Sequence, residues 1–405
     1  MEEWKLTKIG SLCKRVCSGG TPKSTVEEYY GGGIPWLNTK EVNFNRIYST
    51  ESTISESGLN NSSAKWIDEH SVIVAMYGAT AAKCAIGMIP MTTNQACCNL
   101  MIDEAIADYR FVYYALTNVY STLASLANGG AQQNLNAQLI KDFEILLPDL
   151  QTQHQIADIL STIDDKIENN NRINHNLEEQ AQALYKSWFV DFEPFKGGDF
   201  VDSELGLIPE GWRVGTLSEL GDIVAGGTPS KTKPEYYTNN GIAWLTPKDL
   251  SIKCNKFTAR GEIDITEDGY KNSSAKLMPR GSVLFSSRAP IGYISIAKGD
   301  ICTNQGFKSV VPTYAGTAYL YYWLCENTEA IEAQASGSTF KEASGSLMRF
   351  FPALVPEKSV IDSFEKELSP ILNEQEILEE EINHAEQIRD SLLPRLMSGE
   401  LLMNC

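Results

Sequence analysis

The sequence predicts an α+β protein in which two homologous α/β domains are separated by a long antiparallel two-helix coiled coil, the whole forming a pseudo-twofold internal repeat. Three observations predict it. Gly19, Gly20, Thr21, Pro22 returns as Gly226, Gly227, Thr228, Pro229, and further matches follow at an offset of 207 to 211 residues. A repeat of about 208 residues is far longer than a solenoid unit, so it marks two whole domains. Heptad-spaced segments follow each copy, and each copy mixes strand-like with helix-like texture. The expected order is a first domain at 1–150, a central helix and linker at 151–207, a second domain at 208–357 and a distal helix at 358–405.

The repeat is dense enough to align the copies. Glu28, Tyr29, Tyr30 becomes Glu235, Tyr236, Tyr237, and Ile34, Trp36, Leu37, Lys40 becomes Ile242, Trp244, Leu245, Lys248. Residues 61–65 (N-S-S-A-K) recur unchanged at 272–276, and Thr93, Asn94, Gln95 recurs as Thr303, Asn304, Gln305. Trp4, Leu6, Ile9, Leu12 matches Trp212, Val214, Leu217, Leu220, which reads as a short strand and helix at the edge of each domain. Within the copies, 71–76 and 282–286 read as strands, and 108–126 and 319–335 as helices.

Between the copies, Ile156, Leu160, Ile163, Ile167, Asn170, Asn174, Leu177, Ala181, Leu184 and Trp188 alternate spacings of three and four, the seam of a heptad helix. The same seam closes the chain at Ile361, Phe364, Leu368, Ile371, Gln375, Leu378, Ile382, Ala385 and Leu392, flanked by Glu379, Glu380 and Glu381. Polar seam positions such as Asn170 and Gln375 cost stability and fix register, which suits a specific two-helix pairing. Pro370 should kink the distal helix. Each helix, at roughly 35 residues, would span about 50 Å. A pseudo-twofold axis would set the helices antiparallel, with a domain at each end. The stretch 192–209, with two prolines, a Gly-Gly and several acids, is where a domain boundary belongs.

Charge divides along the same lines. The net charge is −18, but residues 1–150 carry 11 Lys+Arg against 15 Asp+Glu, and 208–357 carry 15 against 15. Residues 151–207 and 358–405 each carry 4 against 11, so the excess of acid lies mostly in the helical segments. The domains are thus compatible with a polyanion, whereas an acidic helix repels one and offers a docking edge to another protein. Hydrophobic content of 42% and nine scattered cysteines read as a soluble protein of a reducing cytoplasm, with no membrane span and no metal site.

Catalytic motifs are missing. No Asn-Pro or Asp-Pro pair supplies the box with which amino-methyltransferases hold their base, and no Gly-Lys pair supplies a phosphate loop. The four histidines form no metal or nucleophile constellation. Donor-rich loops remain. The DNA-contact candidates are Lys23, Lys40, Lys65, Gln132, Gln133 and Asn134 in the first copy, with Lys231, Lys233, Lys248, Lys276, Lys308, Thr339 and Lys341 in the second. Such side chains satisfy base edges or phosphate oxygens, and turn or cap roles compete for the amides. Shared lysines suit backbone contact; positions that differ, such as Gln133 and Lys341, suit different base readout.

The paired Gly-Gly-Thr-Pro turns, Glu-Tyr-Tyr, Ile-x-Trp-Leu, Thr-Asn-Gln and the Gly-Ser-Thr-Phe-Lys run before Phe351-Pro352 resemble the target-recognition domains of type I restriction-modification specificity subunits. Residues 389–402, with Leu393-Pro394 and Ser398-Gly399-Glu400, are similar to that family's distal conserved helix end. The first copy departs from the pattern, with Gly129-Gly130-Ala131-Gln132-Gln133 where the second has Ser336-Gly337-Ser338-Thr339-Phe340-Lys341. The resemblance implies a non-catalytic subunit that binds double-stranded DNA at a bipartite, asymmetric site, one half per domain. Its helices would set the spacer and dock two modification subunits, which bind S-adenosylmethionine and methylate adenine; restriction subunits would add ATP- and Mg-dependent translocation and cleavage. This chain would bind no cofactor of its own. Two other readings stay open: an orphan specificity or anti-restriction protein, and a tandem scaffold without DNA binding.

Overall fold

The computed structural model describes residues 4–127, 134–252, 255–288, 290–337 and 341–401. The chain forms two compact units, Met1–Ile167 with His384–Cys405, and Glu168–Asn383. Each unit therefore contains one copy of the repeat together with a segment of both long helices, Leu150–Phe189 and Lys358–Met397. The linker and the helix ends do not form separate bodies.

In the first unit a five-stranded sheet runs in the order Cys13–Ser18, Cys97–Ile102, Val72–Ala75, Cys84–Gly87, Asn45–Ile47, antiparallel except for the last pair. Val72–Ala75, Cys84–Gly87 and Cys97–Ile102 are buried along their whole length, covered on one face by Tyr109–Asn118 and on the other by a second sheet. That second sheet has four strands, Ser52–Ile54, Tyr30–Leu37, Met91–Thr93 and Trp66–Ile67. Lys5–Lys8 pairs with Glu144–Leu147 at the edge, as the Trp4 to Leu12 pattern predicts.

The second unit repeats the plan. Gly221–Ala225, Lys308–Pro312, Val283–Ser287, Ile291–Ala297 and Phe257–Thr258 form the five-stranded sheet, again with a parallel last pair. Arg213–Thr216 pairs with Pro352–Val355. The second sheet is divided here into two pairs, Trp244–Leu245 with Cys302–Thr303 and Tyr237–Thr238 with Asp264–Ile265. One helix, Thr317–Gln334, stands where the first unit has Tyr109–Asn118 and Tyr120–Ala127. Glu365 of the distal helix accepts the Ala318 and Tyr319 amides at 3.2 and 2.8 Å, closing that helix's N-terminal turn. The expected linker is not irregular throughout, since Phe200–Ser203 and Gly206–Pro209 form a hairpin.

The long helices pair antiparallel within each unit. In the second, Asn170 donates to Glu381 at 2.9 Å and Gln375 to Glu178 at 3.0 Å; in the first, Arg389 donates to Asp164 at 3.1 Å. Of the seam residues, Ile156, Leu160, Ile167, Asn170, Ile361, Phe364, Leu368 and Leu378 are buried, while Ile163, Leu177, Leu184, Ile371 and Ile382 are half-buried. The deepest positions beyond Leu177 are Ala181, which keeps the heptad, and Tyr185 and Phe189, each displaced by one residue from the seam positions Leu184 and Trp188. The reason is that this stretch packs on its own globular domain as well as on the other helix: Tyr185 meets Tyr319 and Tyr322 at 5.8 and 6.0 Å and Phe364 at 6.0 Å. Two partners require an apolar stripe wider than a coiled-coil seam. The distal helix runs through Pro370 as one element.

Polar residues in and beside the seam are where each domain meets the helices. Lys256, 8% exposed, bonds Glu178 at 2.6 Å, the Tyr322 hydroxyl at 2.6 Å and Gln375 at 2.8 Å, while Glu379 accepts the Lys256 and Phe257 amides. Burial pushes the Lys256 ammonium down and would push Glu178 up, but the ion pair and the Gln375 amide hold the Glu178 carboxyl below its ordinary value. In the first unit Arg46 bonds Asp165, and the Tyr114 hydroxyl donates to Asp164 at 2.5 Å. The acidic flank is thus largely paired, although Glu380 and Glu381 stay exposed: Glu376 pairs with Arg280, Glu380 with Lys298, and Glu381 with Asn170.

Replacing Lys256 by Met should strand the Glu178 carboxylate and cost about 3–5 kcal/mol of unfolding free energy, most of it regained in Lys256→Met/Glu178→Met. The pair's contribution is present above the ordinary carboxyl value of 4.5 and is lost as pH falls through the lower folded value, so the two variants and the parent should converge in acid. Denaturant unfolding as a function of pH checks both statements.

Candidate nucleic-acid interface

The repeated motifs, distant in sequence, meet at one place in each unit. Gly20 lies so close to the N-S-S-A-K loop that a Cβ would sit 2.2 Å from the Ala64 nitrogen, and Gly227 repeats this at 2.3 Å from Ala275. Gly19 and Gly226 press on the Thr-Asn-Gln turns in the same way. Only a residue without a Cβ allows these backbones to approach. The Gly20 amide donates to Thr93 O at 2.8 Å and its carbonyl accepts the Trp36 indole at 2.9 Å; Gly227 makes the same bonds with Thr303 at 2.8 Å and Trp244 at 3.0 Å. Tyr30 donates to Pro22 O at 2.7 Å, and Tyr237 to Pro229 O at 2.6 Å.

Most motif residues therefore serve the framework. Asn61 and Asn272 each bond a carbonyl of the preceding helix at 2.9 Å, and Ser62 and Ser273 cap the following turn. The Asn38–Glu41 capping box is mirrored by Asp249, which accepts from Thr246. These bonds account for the amides and hydroxyls without a ligand.

The predicted contact residues separate into four groups. Lys23, Lys65, Asn134, Lys231, Lys276 and Lys341 are exposed, and among the described residues no carboxylate pairs with these five ammonium groups. Lys40, Lys233 and Lys248 are exposed but engaged. Hydrogen bonding to Glu51, together with its charge, raises Lys40 above its ordinary value, and the Tyr236 hydroxyl does the same for Lys233; Lys248 lies 3.4 Å from Glu262. Lys308 is no free contact, because its side chain is 11% exposed and held by Glu342 at 3.1 Å. Its place on a central strand, covered by the loop carrying Glu342, explains this. Gln132, Gln133 and Thr339, with the neighbouring Phe340, lie outside the described residues.

Two residues were not singled out by sequence reasoning. Residues 91–102 are buried except for Gln95, and within 301–311 Gln305 alone is exposed. Each is hydrogen-bonded to the threonine of its Gly-Gly-Thr-Pro turn, Thr21 or Thr228. The sequence signal was the exact return of Thr-Asn-Gln; what it could not carry is that one side chain of the three faces out. In the second unit Gln305 borders a cavity of about 370 Å³ with Thr228, Lys231, Tyr237, Trp244 and Asn304. Among the described residues no three His, Cys, Asp or Glu side chains gather as metal ligands would, and no helix is long and apolar enough to cross a membrane.

Comparison with known proteins agrees with this geometry. The family described as the type I restriction modification DNA specificity domain matches residues 1–179 and 209–384. The specificity subunit of the type I restriction enzyme MjaIX from Methanocaldococcus jannaschii is 26% identical, over 99% of this chain and 94% of that protein. The HindI specificity subunit of Haemophilus influenzae is 27% identical, over 70% of this chain and 75% of its own length. The crystal structure of a type I restriction-modification S subunit from M. genitalium shares the fold, with a TM-score of 0.64 at 17% identity, covering 97% of this chain and 96% of that one. With the family's domain present twice and spanning most of the sequence, this chain belongs to the type I restriction-modification DNA specificity subunits.

Proposed function

We propose that the two units read the two unlike halves of one bipartite, asymmetric site in double-stranded DNA, and that the long helices fix the spacer and dock two modification subunits. Restriction subunits complete the assembly in the cytoplasm. S-adenosylmethionine, ATP and Mg are cofactors of those partners, and this chain supplies recognition alone. One observation carries the reading: the same framework is built twice by the same motifs, while the exposed loops it holds out differ between copies. A shared framework presents each loop set in an equivalent way, and different loops read different bases. The helix pair suits a spacer because polar residues buried in it fix register, as Asn170 with Glu381 and Gln375 with Glu178 do.

The unpaired shared lysines should act through phosphate. Lys65→Ala and Lys276→Ala should each weaken binding to specific and unrelated duplexes alike, lower the slope of log K against log salt by about 1, and leave the methylated sequence unchanged. Retention of labelled duplex by the chain with its modification subunit, titrated with salt, measures this; a changed sequence preference would contradict it.

For the spacer, seven residues inserted after Ile167 and seven more after Asn383 lengthen both helices while keeping the pairing inside each unit. Mapping methylated adenines should then show the same two half-sites with a longer gap. An unchanged gap would sink the spacer role.

A further inference from the structure

Gln95 and Gln305 are out of place as structural residues. Each is the exposed member of an otherwise buried turn, and the turn is fixed on both sides by backbone contacts that leave no room for a Cβ at Gly19 or Gly226. A structural glutamine would be folded into its surroundings; these are held out from them. The Thr21 or Thr228 hydroxyl donates to the amide oxygen, Oε1. Among the described residues both Nε2 hydrogens are left without a protein partner, so the residue has two donors to offer. The neighbouring loop, in contact with Gly20 or Gly227, carries the exposed and unpaired Lys65 or Lys276. In both units, then, a rigid surface offers an ammonium group and a pre-oriented amide, with no carboxylate paired to either.

Such a set recognises an oxyanion. It is identical in the two units although the surrounding loops are not, so its target must be common to both half-sites. The feature that unlike DNA sequences share is the phosphate backbone. Resting on the reading that each unit binds one half-site, we propose that Gln95 and Gln305 are matched phosphate contacts, one per unit, whose threonine-anchored amides dock the DNA backbone and so place the variable loops over the bases. They are positioning residues: the register of reading in each half depends on them, while the sequence read does not.

Ethylation interference with the full chain and its modification subunit tests this, on a duplex carrying the site mapped from methylated DNA. The parent complex should show a phosphate in each half whose ethylation blocks binding. In Gln305→Ala the signal in one half should vanish and that in the other persist, and Gln95→Ala should give the converse. Each variant should lose roughly ten-fold in affinity, the scale of a hydrogen bond to a charged group, on specific and unrelated duplexes equally. The salt slope should stay unchanged, since no charge is removed. Gln305→Glu keeps the threonine bond and the shape but replaces the donors by a negative charge, so it should bind more weakly than Gln305→Ala while melting at the parent's temperature. Relaxed methylation at one base position in Gln305→Ala would make the residue a base reader and overturn the proposal. Unchanged affinity in both alanine variants would overturn it as well. A parent complex with no sequence-dependent retention would fail differently, by removing the half-site reading on which the contact rests.

Discussion

Close backbone approach at the Gly-Gly step is the constraint on which each unit's outer face depends. A Cβ at Gly20 or Gly227 would fall within 2.3 Å of a backbone nitrogen, and backbone cannot swing aside as a side chain tip can. Because the chains meet this closely, the Trp36 and Trp244 indoles reach glycine carbonyls, the tyrosine hydroxyls reach the prolines, and the Thr-Asn-Gln turn is clamped from both sides. Loops can differ above a face held in this way without moving it. That is the physical sense in which the duplication separates a conserved framework from variable recognition, and it explains why so many repeated polar residues turn out to bond to one another.

The charge distribution follows a similar economy. A chain of net charge −18 is a poor partner for DNA as a whole, yet the helical segments that hold most of the excess acid direct much of it at their own domains. Glu379 accepts two backbone amides, Glu178 faces Lys256, Asp164 faces Arg389 and Tyr114, and Glu376 faces Arg280. Burial raises Glu379, yet the two amides it accepts and the nearby Lys256 and Lys298 charges favour its carboxylate form. The same acids that look like solvated flanks in the sequence thus attach globular domain to helix. The cations left over after this pairing include those of the outer loops, where Lys23, Lys65, Lys231, Lys276 and Lys341 stand free of carboxylates among the described residues.

Much of this was legible in the sequence, and the gaps have physical causes. The repeat itself, the central strands at 72–75 and 283–287, and the buried polar seam at Asn170 and Gln375 could be read because each leaves a local periodic or identical pattern. Tyr185 and Phe189 were missed because their burial comes from a third partner, the helix Thr317–Gln334, and a heptad count knows only two. Lys308 was misjudged because a lysine's availability depends on Glu342, 34 residues away in sequence, which no spacing rule connects to it. Gln95 and Gln305 lay in plain view as repeated letters, but identity between copies does not say which member of Thr-Asn-Gln faces outward. Exposure within a buried run is a property of packing alone.

The differences between the copies bear most directly on asymmetry. The second sheet is continuous in the first unit, where Tyr30–Leu37 pairs with both Ser52–Ile54 and Met91–Thr93; in the second its two strand pairs are connected by the isolated Ile242–Ile265 bridge. Three consecutive glycines, Gly31, Gly32 and Gly33, sit in that strand in the first copy, where the second has Thr238, Asn239, Asn240 and Gly241. Gly32 packs against the Ser55 backbone at a distance that excludes a Cβ, so this strand can bulge and resume its pairing. In the second copy the Asn240 amide donates to Thr238 and the Gly241 amide to the buried Asp264, and pairing resumes as a single bridge between Ile242 and Ile265. The same framework is therefore extended by different local chemistry in each unit, on the loops rather than in the core. On the proposed reading, two units built this way would share their footing on the DNA backbone and differ in the bases they read above it.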